Sequence, residues 1–408
     1  MQMKKYLFFA LAAAGMLSSC SSDDVVGNGT NTTDDNSPMP IRIGIGQAFT
    51  TRGTGTVGGF TDDDDNVWNG QKFNVYMLNK GTMALARFGE NSEIIYENAM
   101  FESPNALQTG LATPSDKSIK YYPPQDKFDF WGYRLDDAEI LNKDGKPALG
   151  DDSLTVDFKI NGSQDVMLAK AVPSVADTAK LVAAGNTAAD RAYSSYAARH
   201  DVQPNLVFKH QLTRLTFEAI PGGPGAVDAT SPVIIDSIKV LSRNTGKMVI
   251  ATTGDIRGEK QGILWTGPTD SLALMQRKAG DTPDKDLEKL TSVSLKGQGN
   301  YTTPGDPTTP FVGTPVAVGE ALMVAPDANY EIFIFLHQDV PTEIGSADLK
   351  TIKYNYKDLI QRDGGFLAGT SYKVQITLWG LTDIKVTTTL TKWEDGGDPI
   401  ELRPEDYE

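Results

Sequence analysis

Of 408 residues, three are histidine (His200, His210 and His337) and one is cysteine, Cys20. No two histidines have the spacing of a metal-binding motif. The chain contains no HExxH, no GxSxG and no phosphate-cradling GxxxxGK run. A single cysteine can form neither an internal disulfide nor a thiolate cluster. Carboxylate pairs stay open, because the acids of glycosidases have no fixed local spacing. The run TDDDDN, with Asp62 and Asp65 at the ends of its aspartates, could bind Ca²⁺. It lacks the glycine and terminal glutamate of an EF-hand loop, so a solvated acidic loop explains it more simply. His210 and His337 lie in strand-like runs and read as satisfied structural histidines. Trp131, Trp265 and Trp379 sit in apolar runs and are expected in the core rather than against sugars. No catalytic residue, metal site or cofactor is expected, and the chain does not read as an enzyme.

Whatever positions these residues begins with an address. Lys4 and Lys5 precede the apolar run YLFFALAAAGML, too short for a membrane span of roughly 20 residues and typical of a secretory signal. The sequence LSSC, ending at Cys20, resembles the lipobox of bacterial lipoproteins, whose cysteine carries the lipid after cleavage of residues 1–19. Two or three acyl chains anchor firmly where one holds only marginally. Residues 20–39 are polar, acidic and poor in apolar surface, and read as a flexible tether with a reach of about 25 Å. Asp23 and Asp24 soon after the lipid cysteine resemble surface-export signals of some Gram-negative anaerobes.

The chain carries 38 basic and 53 acidic residues, a net charge of −15 spread along its length. Such a surface repels phosphate, which argues against nucleic-acid partners and against a polybasic membrane patch. From residue 40 onward apolar runs with period two or continuous hydrophobicity recur: FNVYML, FDFWGY, LTVDFKI, NLVFKHQLTRLTFEAI, PVIIDSIKVL, NYEIFIFL, SYKVQITLWGL and IKVTTTL. Gly, Pro, Asn and Asp clusters separate them, a pattern of many strands without alternating helices and therefore of antiparallel sandwiches. The Ala-rich stretch 171–200 favours helix, with Thr187 and Asp190 as a candidate capping pair, and divides the chain into near-equal halves. The run 299–315 reads as a long Pro/Gly loop. The first strand is PIRIGIGQAF, which places Ile41, Ile43, Ile45 and Phe49 on one face ahead of glycine-rich slack containing Arg52 and Gly53.

Several stretches in order resemble the fimbrillin family, the two-domain lipoprotein pilins of type V pili. KYYPPQDKFDFWGYR (120–134) is similar to that family's tyrosine–proline turn and aromatic strand. QDVMLAKA (164–171) resembles the segment closing its first domain, and NLVFKHQLTRLTFEA (205–219) the strand opening its second. LAGTSYKVQITLWGLTDIKVTTTLTKWEDG (367–396) resembles its C-terminal strand pair and tryptophan. The resemblance implies a mainly β protein of two antiparallel transthyretin-like or immunoglobulin-like β-sandwiches, 40–200 and 201–396, with a short helical insertion near their boundary and an acidic tail, 397–408.

The same resemblance implies a structural or adhesive subunit of a cell-surface fimbria. The precursor would be an outer-membrane lipoprotein attached through Cys20 and handled by the lipoprotein export machinery. An Arg-specific protease would cut between Arg52 and Gly53 and free the strand of Ile41, Ile43, Ile45 and Phe49. Other pilin subunits would then fill the slot by strand exchange. Arg42 is a competing site, but a cut there leaves nearly the whole strand in place. The tail 394–408 offers only Ile400, Leu402 and Tyr407 as large apolar groups. It matches such a slot poorly and favours a tip or accessory subunit, unless the run 384–393 is itself released and donated. A host or bacterial surface ligand is a further expected partner. Two other functions stay open: a surface glycan-binding lipoprotein, and a carboxylate-pair glycosidase.

Overall fold

A computed structural model describes residues 38–47, 68–107, 110–183, 192–256, 258–277, 287–343 and 346–390. The protein is mainly β, built of four principal sheets and several short strand pairs. Each apolar run quoted above forms a strand, and NLVFKHQLTRLTFEAI forms two, because alternating side chains bury one face against a neighbouring layer.

The first sheet has eight strands in the order Gly110–Leu111, Gly44–Gln47, Asn205–His210, Met167–Lys170, Phe128–Arg134, Lys72–Asn79, Ala99–Glu102 and Thr113–Pro114. Its two edge strands are consecutive pieces of chain separated only by Ala112, so the sheet curls until its edges nearly meet. Inside lies an aromatic-rich core in which Phe208 meets Trp68 and Phe73 at ring-centroid distances of 5.3 and 5.0 Å. On the outer face of the central strands, Tyr76, Trp131 and Tyr133 belong to a second and larger core. That core is shared with a five-stranded sheet of Glu139–Ile140, Ser153–Lys159, Thr245–Thr252 and Gly262–Trp265, with Ala148–Leu149 also paired to Ser153–Lys159.

The larger core continues between a four-stranded sheet, ordered Val316–Val324, Thr213–Pro221, Ser371–Leu378 and Ile384–Leu390, and another of five strands. The latter runs Thr269–Ala273, Val233–Arg243, Asp327–Pro341 and Leu349–Phe366, with Val293–Ser294 added to Val233–Arg243. Most pairs are antiparallel. Two are parallel: Gly44–Gln47 on Asn205–His210, and Thr213–Pro221 on Ser371–Leu378. Both join strands more than 150 residues apart, where no hairpin dictates direction. Three pairings cross the 200/201 boundary read from the sequence, since Ser153–Lys159 binds Thr245–Thr252 while Gly44–Gln47 and Met167–Lys170 both bind Asn205–His210.

Three local expectations take a different form. The Ala-rich stretch yields two helices, Val175–Ala183 and Ser195–Arg199. The first is capped by Ser174 and Asp177: Asp177 N–H donates to Ser174 Oγ at 3.0 Å and Ser174 N–H to Asp177 Oδ2 at 3.1 Å. The proposed cap at Thr187 and Asp190 lies outside the described residues. The run 299–315 holds a strand pair, Gly299–Tyr301 with Phe311–Gly313, because Tyr301 and Phe311 pack edge-on at 5.8 Å. Trp379 is 40% exposed rather than in the core; its ring lies over Gly222, where a side chain would collide with it.

Candidate functional site

Alternation over residues 40–46 turns Pro40, Arg42, Gly44 and Gly46 one way and Ile41, Ile43 and Ile45 the other. The three isoleucines enter the aromatic-rich core at 7%, 1% and 1% exposure. The segment is hydrogen-bonded along both sides. Toward one neighbour, Ile41 N–H donates to Lys120 O, Tyr122 N–H to Met39 O and Ala112 N–H to Ile43 O, each at 2.9 Å. Toward the other, Gly44 N–H donates to Pro204 O at 2.8 Å, and the parallel register then runs from Gly44 opposite Asn205 to Gln47 opposite Phe208. Gly44 lies close against Asn205, where an added Cβ would stand 2.9 Å from Asn205 Oδ1 and push that side chain aside.

Gln203 completes the seam in a way that pattern reading missed. Its side-chain amide acts as an extra peptide group: Nε2 donates to Pro40 O at 3.1 Å, while Oε1 accepts from Arg42 N–H at 3.2 Å and from Tyr122 O–H at 3.3 Å. A lone glutamine before Pro204 carries no sequence signal of this role. Its identity as a clamp exists only once residues 40 and 203 are adjacent in space.

The neighbouring strand Asn205–His210 is pinned at its far end by a buried polar network. His210 Nδ1 lies 2.7 Å from Asp165 Oδ1, and both side chains are almost wholly buried. Arg134 donates to Asp165 O at 3.1 Å and pairs with Asp136 at 2.5 Å; Asp165 N–H donates to the other Asp136 oxygen at 3.1 Å. Burial pushes the Asp136 carboxyl up to about 6 against the opposing pull of Arg134. His210 is thus the satisfied structural histidine expected of it. His337 likewise meets Asp236 at 2.8 Å, and His200 meets Tyr196 O at 2.9 Å within a helix end.

The other candidate strand, Ile384–Leu390, forms an edge. Among the described residues it pairs only with Ser371–Leu378, from Ile384 opposite Leu378 to Leu390 opposite Tyr372, with Ile384 and Val386 half-buried. The structure therefore brings Ile41, Ile43 and Ile45 together in one slot. Cys20, Phe49, Arg52, Gly53 and the aspartates 62–65 lie outside the described residues. Among the described residues no group of three or more His, Cys, Asp or Glu side chains is placed to hold a metal, and no helix is long and apolar enough to cross a membrane.

Fold and slot together define a β-sheet protein in which a short N-terminal strand is inserted as a separate piece between distant strands. The chain belongs to the fimbrillin-like family, whose model matches residues 60–393. No curated protein matches it. Among solved structures it is similar to a fimbrial protein from Bacteroides vulgatus, at 11% identity and a TM-score of 0.44, covering 87% of this chain and 100% of that one. It is also similar to a candidate cell adhesion protein from Bacteroides uniformis (14% identity, TM-score 0.42, 89% and 100% covered). The fimbrial anchor protein Mfa2 from Porphyromonas gingivalis follows at 8% identity and a TM-score of 0.29, with 86% and 98% covered. Family membership supports a fimbrial subunit with a cell-surface location and other pilin subunits as partners.

Proposed function

We propose that this chain is a non-enzymatic fimbrial subunit, exported as an outer-membrane lipoprotein through Cys20 and joined to other subunits by exchange of its first strand. Cleavage between Arg52 and Gly53 by an Arg-specific protease separates that strand from the rest of the chain and prepares the exchange. The observation that carries this reading is the placement of the first strand. It fills a gap between Gly110–Leu111 and Asn205–His210 and contacts its neighbours through hydrogen bonds and buried isoleucines.

The energetics fit. Burial of three isoleucines at roughly 1.5–3 kcal/mol each contributes about 5–9 kcal/mol, comparable with the whole stability of a domain at about 5–15 kcal/mol. A cleaved subunit keeps its strand by non-covalent contacts only, and its loss uncovers two strand edges that another extended chain can pair with. The weakly apolar tail favours a tip or accessory position, accepting a strand without donating a matching one.

N-terminal sequencing of the surface-assembled protein tests the proposal. The expected mature chain begins at Gly53, and Arg52→Ala leaves a folded monomer that does not assemble, whereas Arg42→Ala assembles normally. An assembled chain still beginning at Cys20 would overturn it.

A further inference from the structure

Away from the slot, the sheet of Val233–Arg243, Asp327–Pro341 and Leu349–Phe366 turns one face to the core and one to solvent. Ile332, Ile334 and Leu336 are fully buried, so Phe333, Phe335 and His337 point outward, each half-buried. Strand register then sets residues in rows across this outer face. Lys239, Phe333 and Lys357 form one row; Ser237, Phe335 and Asn355 form the next; His337 stands opposite Lys353 in the third. Two phenylalanines and a histidine thus make a column about 13 Å long, at roughly 3.3 Å rise per residue, flanked by polar groups on both sides except at His337, which has Ile234 on one side.

The charges on this face are unusual for a chain of net charge −15. Lys239 Nζ lies over the Phe335 ring and Lys357 Nζ over the Phe333 ring, each at 5.3 Å. Lys357 is answered by Glu331 at 3.0 Å, and His337 by Asp236 at 2.8 Å. Lys239 and Lys353 have no carboxylate within ion-pair distance among the described residues. Between them lies a concavity of about 750 Å³ floored by Phe335 and His337 and walled by Lys239, Lys353, Asn355 and Asp236, the last held by His337.

We infer that this face binds an acidic oligosaccharide. Phe335 offers apolar surface for the C–H groups of a sugar ring, and the amide, hydroxyl and ammonium groups beside it supply hydrogen bonds that fix the sugar's orientation. The two ammonium groups without ion-pair partners select a ligand bearing carboxylate or sulfate. An open sheet face suits an extended glycan, whereas an acidic peptide would seek a strand edge for its backbone bonds. The site is formed within the uncut chain, so its occupancy is independent of strand exchange and of the assembly proposed above.

Calorimetric titration of the full-length monomer with tetragalacturonate, a sulfated chondroitin tetrasaccharide and neutral maltotetraose tests the inference. At least one acidic probe is expected to bind, more weakly as salt rises, with the neutral sugar silent. Lys353→Gln and Asn355→Ala, on exposed side chains that leave the fold intact, are each expected to weaken binding roughly tenfold, and Phe335→Ala to abolish it. A peptide of residues 394–408 serves as the acidic-protein control. Binding of that peptide but of no sugar, equal binding of maltotetraose, silence of every probe, or acidic-sugar binding unchanged in Lys353→Gln would each overturn the proposal.

Discussion

Gln203 holds residues 40–42 through one side chain, so its truncation removes two bonds to the first segment and one to Tyr122. Gln203→Ala is expected to cost about 1–3 kcal/mol, since Pro40 O and Arg42 N–H lose their partner in a half-buried seam. Urea unfolding measures the loss, and faster amide exchange at Arg42 would place it in the first segment. Asp136 sets a second test. Its folded value, about 6, lies above the ordinary 3.8 because burial penalises the charged form. Its contribution to stability is therefore fully present below about pH 4 and is lost as pH rises through 6. Asp136→Asn is expected to flatten the stability–pH curve between those limits, and an unchanged slope would assign the dependence elsewhere. At Gly132 an added Cβ would stand 2.9 Å from the Phe208 ring and 3.1 Å from Leu206. Gly132→Ala is expected to cost about 1–3 kcal/mol by displacing the strand that flanks the slot, as read by thermal unfolding.

Strands separate into those held by both edges and those held by one. Gly44–Gln47 is bonded on both sides and carries three inward isoleucines in its segment, whereas Ile384–Leu390 is bonded on one side and carries a threonine-rich, half-exposed sequence. Ile43→Ala is expected to destabilise the uncut protein by about 2–5 kcal/mol, and Val386→Ala by much less, because only the first leaves a cavity in a closed core. Denaturant midpoints of the two variants decide it. Equal losses would mean that the C-terminal strand is as firmly seated as the first. The difference matters for function, since the more deeply buried strand is the one whose replacement gains most from a well-matched donor.

Across the whole molecule, the 245–252 segment leaves the outer five-stranded sheet at Asn244 and enters the sheet built on Ser153–Lys159. A fragment of residues 205–396 lacks that partner and lacks the rest of the eight-stranded sheet. Its Thr213–Pro221, Val233–Arg243, Asp327–Pro341 and Ser371–Leu378 strands are expected to keep slow amide exchange, while Asn205–His210 exchanges freely and Thr245–Thr252, left with Gly262–Trp265 on one edge, exchanges faster than in the whole chain. Uniform protection would show that the second half folds without any strand from the first. Protection nowhere would show that both halves fold together.

Periodicity was enough to read strand identity, the inward set Ile41, Ile43 and Ile45, and a mainly β fold, because alternation reports which face is buried. The aromatic strand at 128–134 and the isoleucine strand at 41–45 were legible for the same local reason. Partner choice was not. That residues 44–47 would run parallel to 205–208, that Gln203 would serve as a peptide group, and that Ser153–Lys159 would pair across the midpoint of the chain depends on segments far apart in sequence. Packing of a Trp ring over a glycine, as at Trp379, likewise requires the two segments to meet. A chain's own pattern fixes what each strand hides; only closure of the sheets decides which backbone edges and side chains meet, since those contacts form between residues that carry no trace of one another locally.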